Sequence, residues 1–320
     1  MRRSQAYPFW MRALLVSNLN ATAMSSRTRD VIVRALGSEL KLDVAETHSR
    51  GHAADLAAQA RADEFDLVVA VGGDGTVNEV VSGLLREGVG PDTPRLAVVP
   101  GGNANVFARA LGLPAEPIEA TGAVLERLRS GRERTIGLGR LETGSLDRWF
   151  TFCAGFGLDG EIVREVEKLR RTGAKATPGL FMRTGIRQFF RTDRRHPRLV
   201  LERPGADDVE KIFMTVVTNT TPWTYFGDRP LEPTPEASFD TGLDTFSLRG
   251  LGTVSTAMSL RRLLVGGPPP RGHNIVACHD LPTLTLRTTR PTSVEVDGEY
   301  LGEHSDIALF SVPEALAVIA

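Results

Sequence analysis

The sequence predicts an α/β protein in which an N-terminal, doubly wound and mostly parallel sheet domain precedes a β-rich, mainly antiparallel second domain. Three observations carry that expectation. Up to about residue 131, short apolar runs alternate with helical patterns, the rhythm of successive βαβ units. Beyond it the texture changes to alternating strand-like runs. The chain is also 320 residues long, too much for one domain of roughly 100 to 200 residues.

In the first part, strands are predicted at 13–17, 43–47, 67–71 and 96–99, each a run rich in Val, Leu and Ala. Helices are predicted at 27–40, 52–62, 76–86, 105–111 and 118–129, where apolar residues recur at steps of three and four. Strands at 135–141, 149–154, 198–202, 211–218, 243–249, 274–278, 283–288, 293–296 and 307–312 form the second part, in which helices are sparse. The domains are placed at 11–134 and 135–320, with the last residues expected to pack back on the first. Gly266-Gly-Pro-Pro-Pro270 reads as a loop, because consecutive prolines remove backbone donors.

Hydrophobic residues make up 41% and charged residues 24%, which excludes a disordered or collagenous chain. Lys plus Arg number 38 against 39 Asp plus Glu, a net charge of -1, so no global field draws the chain to nucleic acid. Cys153 and Cys278 are the two cysteines, without a CxxC pair, which disfavours a disulfide framework or a zinc site. The first ten residues lack the apolar core of a signal peptide, and no run approaches the roughly 18 residues of a membrane span. The expected location is cytoplasmic, with peripheral membrane association.

The strongest motif is Val68-Val-Ala-Val-Gly-Gly-Asp-Gly-Thr-Val-Asn-Glu79, an apolar strand that ends in glycines and opens into a helix. Such a junction suits phosphate: glycine lets the backbone approach closely, and the positive helix end favours an anion. Asp74 beside phosphate would repel it unless Mg²⁺ lay between them. The same residues also match a T-x-x-E capping box at Thr76 and Glu79, which would make them only a helix start. A second strand ends alike, in Pro100-Gly-Gly-Asn-Ala-Asn-Val-Phe-Ala-Arg109, where Asn103 and Asn105 are either nucleotide contacts or helix caps.

Together these two stretches resemble the diacylglycerol kinase catalytic family, which includes bacterial lipid kinases and sphingosine kinases. The resemblance extends to Ser17-Asn-Leu-Asn-Ala-Thr22, to Thr47 and to Val296-Asp-Gly-Glu299. It implies an N-terminal nucleotide domain, a β-rich lipid domain, an active site between them, and ATP with Mg²⁺. Carried over by position, Asn18, Asn20, Thr22, Thr47, Gly72, Gly73, Asp74, Gly75, Thr76, Asn78, Glu79, Gly102, Asn103 and Asn105 would contact ATP. Glu299 would be the general base, with Asp297 and Asp74 as its catalytic companions. Without the family, Asp297-Gly298 reads as a polar hairpin turn. The family's structural Mg²⁺ loop resembles Ala237-Ser-Phe-Asp-Thr-Gly-Leu-Asp-Thr-Phe246, implying Asp240 and Asp244 as ligands, although Thr241 stands where an aspartate is typical. Leu19, Asn103 and Val106 likewise replace the usual proline, threonine and aspartate.

The expected activity is transfer of the ATP γ-phosphoryl group to a lipid hydroxyl, diacylglycerol first. The alternatives are an NAD kinase-like enzyme and a catalytically silent nucleotide- or lipid-binding protein. A Gly155-Phe-Gly-Leu-Asp-Gly160 stretch matches the dinucleotide fingerprint but lacks the acidic residue about 20 positions on. Finally, residues 161–203 carry twelve Lys plus Arg against five Asp plus Glu. Within them Met182, Ile186, Phe189 and Phe190 are expected on one helical face, with Arg183, Arg187, Arg191 and Arg194 in the stripe beside it. That pattern fits either docking on an anionic membrane, where the lipid alcohol resides, or a helix packed on the core with solvated arginines. The sequence leaves oligomeric state open, a homodimer included.

Overall fold

Residues 11–18 and 25–320 are described by the computed structural model, so Asn20 and Thr22 lie outside the described residues. The chain divides into two units: one holds the described residues up to Ile136 together with Glu314–Ala320, the other Gly137–Pro313.

In the first unit β1 (Arg12–Asn18), α1 (Ser26–Gly37), β2 (Lys41–Thr47), α2 (His52–Ala62), β3 (Leu67–Gly72), α3 (Asp74–Leu84), β4 (Arg95–Pro100), α4 (Val106–Ala110) and α5 (Pro117–Arg129) follow in turn. The strands lie in the order β2-β1-β3-β4, all parallel, and Val318 adds a last parallel pairing against Leu96. β3 is buried at every position, as a central parallel strand covered on both faces must be. α2 packs with α3, and α1 with α5. From β1 the chain moves outward to β2 and then returns to β3 on the other side. That reversal is a topological switch point, where open α/β sheets leave a crevice at their carboxyl ends. The register aligns Asn18 with Thr47 and Gly72 with Pro100, so the motif residues share one sheet edge.

The second unit contains β5 (Arg134–Glu142), β6 (Asp147–Phe150), β7 (Cys153–Gly157), α6 (Leu158–Arg171), α7 (Pro178–Arg191), β8 (Leu199–Arg203), β9 (Ala206–Ile212), β10 (Met214–Thr218), β11 (Thr224–Phe226), β12 (Arg229–Leu231), β13 (Leu243–Leu248), α8 (Thr253–Val265), β14 (Ile275–Leu281), β15 (Thr283–Val296) and β16 (Glu299–Val318). β5 begins, and β16 ends, within the first unit. The order β14-β13-β10-β7-β15-β16 is antiparallel throughout. Phe150, Phe156, Leu201, Val217, Leu286 and Leu309 belong to its main core, and α6 packs on β7 and β15.

The short β11–β12 hairpin was not expected, and the structure differs from the expected elements in four further places. The run 149–154 is two strands, because the amides of Thr151, Phe152 and Cys153 turn to a carboxylate instead of a neighbouring strand. The run 211–218 breaks after Ile212, next to Lys211 at φ 63°. The runs 283–288 and 293–296 are one strand, since β8 pairs with the first half of β15 and β7 with the second. α8 was not expected as a helix; none of its side chains is buried, so its apolar residues mark no core-facing stripe.

Glycine decides the contact between α2 and α3. A Cβ on Gly83 would run into the carbonyl of Ala54, whereas one on Gly122, on the exposed side of α5, meets nothing within 4 Å. Gly83→Ala is expected to cost about 1–3 kcal/mol through overpacking, and Gly122→Ala to gain up to about 1 kcal/mol from helix propensity. Urea denaturation of the two variants against the parent measures both.

Candidate active site

The glycine loops after β3 and β4 touch through their backbones. Gly101 N–H donates to the Gly72 carbonyl at 2.8 Å, and a Cβ on Gly102 would lie 2.7 Å from the Gly73 Cα. Gly73 caps α3 in an extended conformation with no side-chain capping bond, leaving the positive helix end to the loop. Thr76 is therefore inside the helix, buried beside Gly72, and the expected capping box does not form. Glu79 instead accepts from the amides of Gly51 (2.9 Å) and Ala53 (3.2 Å), so the carboxylate assigned to ATP by resemblance caps the start of α2. Asn78 is buried on α3.

Asp74 opens α3 and accepts from the Phe107 amide in the first turn of α4 at 3.2 Å, which couples the two loops. Asn105 sits at φ 48° and closes its own loop, accepting from Gly102 N–H and donating to the Gly102 carbonyl, both at 2.9 Å. It holds the N-cap position of α4, as one of the two expected readings had it, but its side chain makes no capping bond and is turned inward. Asn103 is exposed at the loop tip, while Thr47 is buried at the end of β2 opposite Asn18. The first unit thus gathers Asn18, Thr47, Gly72 to Thr76 and Gly102 to Asn105 along one edge.

The second unit places the other candidates around the turn between β15 and β16. Asp297, at φ 49°, is buried and accepts four bonds: from Thr151 N–H (2.7 Å), Thr151 Oγ1 (2.8 Å), Phe152 N–H (3.0 Å) and Cys153 N–H (3.0 Å). These four bonds make it an anchor for the turn. Glu299 is mostly buried and takes a 3.0 Å bond from Arg148 Nη2, which fixes its orientation. Sequence reasoning missed Arg148, whose partner is remote in the chain.

It also missed a buried carboxyl pair. Asp159 and Glu295 share a hydrogen bond, and Glu295 Oε2 accepts from Gly298 N–H at 2.7 Å. Burial pushes Asp159 up to about 6 and Glu295 well above the carboxylate range, with the Asp159 charge adding to the latter. Both shifts favour a proton held within the pair. Burial also pushes Asp297 upward against its four donors, and the buried Cys153 thiol upward. The clustering of Glu295, Asp297 and Glu299 within five residues about the turn between β15 and β16 was the available signal. The fingerprint Gly155 to Gly160 has a packing explanation: a Cβ would strike the Asp159 carboxylate at Gly155, the Phe213 carbonyl at Gly157, and the Ser293 carbonyl at Gly160.

The loop expected to hold structural Mg²⁺ does not fit a hard cation. Asp244 is buried, but one carboxylate oxygen accepts from both His279 Nδ1 (2.8 Å) and Asp280 N–H (3.0 Å), while Asp240 is exposed. Among the described residues no group of three His, Cys, Asp or Glu is arranged to hold a metal ion.

Two measurements follow from these contacts. The folded pKa of Asp159 lies above its unfolded value near 3.8, so its contribution to stability is full at lower pH and is lost as pH rises through about 6. Comparing wild type with Asp159→Asn by denaturation, the stability difference should shift by up to roughly 3 kcal/mol between pH 4 and pH 7, the wild type losing ground. At the Asp244 loop, EDTA and excess Mg²⁺ should leave Tm unchanged. His279→Ala should lower stability by about 1–3 kcal/mol, because Asp244 would keep its burial and lose a donor.

Comparison with known proteins places this geometry in context. Residues 12–141 match the diacylglycerol kinase catalytic domain. Over 264 residues the chain is 29% identical to a protein named probable lipid kinase YegS-like from Xanthomonas campestris, covering 81% of each. Over 127 residues it is 39% identical to a diacylglycerol kinase from Bacillus subtilis, covering 39% of this chain and 38% of that one. A crystal structure of a diacylglycerol kinase from Bacillus anthracis superposes with a TM-score of 0.70 at 19% identity, over 97% of this chain and 96% of that one, a likeness of fold. The glycine loops and the parallel edge that presents them lie within residues 12–141, the segment that is similar to the diacylglycerol kinase catalytic domain.

Proposed function

We propose that this protein is a lipid kinase that transfers the γ-phosphoryl group of ATP to the free hydroxyl of diacylglycerol, giving phosphatidic acid. The observation that carries the reading is the pair of backbone-packed glycine loops at the carboxyl edge of the first unit, inside the segment that matches the diacylglycerol kinase catalytic domain. An anionic triphosphate suits an uncapped helix end approached by glycine backbone. Asp74 is a single carboxylate in that loop, and Mg²⁺ brought by the nucleotide needs only one or two carboxylates beside the phosphates. Such an ion would neutralise charge on the transferred group.

In the reaction the acceptor hydroxyl oxygen bonds to the γ-phosphorus, the bond to the β–γ bridging oxygen breaks, and the hydroxyl proton passes to a carboxylate. Glu299 is the candidate for that proton, oriented by Arg148; Asp297 acts through it as a positioning residue, because its own oxygens are taken by four donors. The glycines of the separate dinucleotide-like stretch at Gly155 to Gly160 are explained by close packing, and NAD as acceptor, the alternative that shares the Gly72-Gly73-Asp74-Gly75 loop, is decided by the acceptor assay.

The test is ATP turnover with diacylglycerol, sphingosine or NAD as acceptor; stimulation by NAD alone would overturn the proposal. Asp74→Asn should remove activity at nearly unchanged Tm, because the amide oxygen still accepts from Phe107 while the charge is gone. Glu299→Gln should lower kcat by about 10² to 10⁴ with little change in ATP affinity. A loss confined to ATP binding would reassign Glu299 to the nucleotide.

A further inference from the structure

Helix α7 does not pack as its apolar residues suggest. Its buried side chains are the polar Thr184 and Gln188, and Gln188 Nε2 donates to Glu161 of α6 at 3.0 Å. Phe189 is half-buried against the small cluster that contains Leu158 and Phe246, which accounts for one aromatic of the expected stripe. Phe190 and Ile186, one turn apart, are left 60% and 52% exposed, and Phe181 is exposed as well. At 100° per residue, Arg183, Arg187 and Arg191 fall between the exposed apolar row and the buried polar row.

That placement puts the three arginines at the mouth of a cleft between α6 and α7. The cleft has a volume of about 350 Å³ and is lined by Arg183, Arg187 and Arg191 together with Lys168, Glu165 and Thr184. Its single carboxylate is already bonded to Lys168 at 2.7 Å. No ion pair among the described residues engages Arg183 or Arg187. Arg194 lies over the rings of Phe189 (4.9 Å) and Phe190 (5.5 Å), extending the positive surface around the exposed aromatic. A cationic cleft flanked by exposed apolar side chains has the chemistry of an interfacial site, in which phosphate groups sit among arginines while adjacent rings and aliphatic chains enter the acyl boundary. A purely soluble anion would leave Ile186 and Phe190 in water.

We propose that the α6–α7 cleft is a docking site for the phosphate headgroups of an anionic bilayer, with Ile186 and Phe190 as its shallow apolar anchors. The choice of a bilayer rests on the lipid-kinase reading, since an acceptor held in a membrane requires the enzyme to stay there. Attraction is screened over about 8 Å at physiological ionic strength, so binding weakens with salt. Each arginine near an anionic surface contributes about fivefold in partitioning.

Co-sedimentation with vesicles, run without nucleotide, tests the site separately from catalysis. The protein should pellet with phosphatidylcholine vesicles containing phosphatidylglycerol and stay in solution with phosphatidylcholine alone. Replacing Arg183, Arg187 and Arg191 together by Gln should weaken binding roughly a hundredfold. Ile186→Ser with Phe190→Ser should weaken it further, and in a manner insensitive to salt. If the triple variant fails to fold, Arg187→Gln alone should show about a fivefold loss. Inorganic phosphate should release the protein no more than chloride of equal ionic strength.

Equal binding to neutral vesicles would overturn the proposal, as would undiminished binding by a folded triple variant, or preferential release by phosphate, which would make the cleft a site for a soluble anion. Vesicle binding without diacylglycerol phosphorylation would sink the proposed reaction and leave the docking site standing. Phosphorylation without vesicle binding would do the opposite.

Discussion

The first unit depends on the absence of side chains between Gly73 and Gly102. A Cβ on Gly102 would lie 2.7 Å from the Gly73 Cα and force the two loops apart, straining the Gly101 to Gly72 bond that joins the strand ends, and a Cβ on Gly73 would be tight at 3.2 Å against Gly102. Because the loops meet, Asp74 can reach the amide of Phe107 and Asn105 can fold back on Gly102, so two separate strand–helix junctions become one rigid rim. The parallel sheet makes this possible: strands in register bring their carboxyl ends to one edge, and the switch of direction at β1 and β3 keeps helices from covering it.

The second unit solves a different problem, how to hold a tight turn in place by burying charge. Asp297 collects four donors from a three-residue segment, close to the limit of what one carboxylate can accept, and so fixes the segment between β6 and β7 to the turn before β16. Beneath it, Asp159 and Glu295 share a proton instead of carrying two charges, which avoids the repulsion and desolvation that two buried carboxylates would impose. Glu299 emerges from that scaffold already oriented by Arg148.

The same economy explains the loop around Asp244. A buried carboxylate needs a counter-partner, and His279 with the Asp280 amide supplies it, so no divalent ion is required there. The residue Thr241 in place of an aspartate was the warning, visible in the sequence; its replacement by a contact from β14 was not.

Residues near one another in the chain were legible. The apolar run of β3 followed by glycines, the helix it opens and the alternating texture of the second unit all follow from local periodicity and from backbone conformations that particular residue types permit. The first unit's elements were therefore read with small boundary shifts, while α8 escaped because an exposed helix has no buried stripe to reveal it. The sequence also marked Asp74, Asn105 and Glu79 as special, though not what each does. That was decided by partners that pattern cannot connect: Glu79 with Gly51, Asp159 with Glu295, Asp244 with His279, and Arg148 with Glu299, the last pair 151 residues apart. Periodicity reports which face of an element turns inward. Only the folded chain decides which charge waits there to meet it, because that depends on the register of strands distant in sequence.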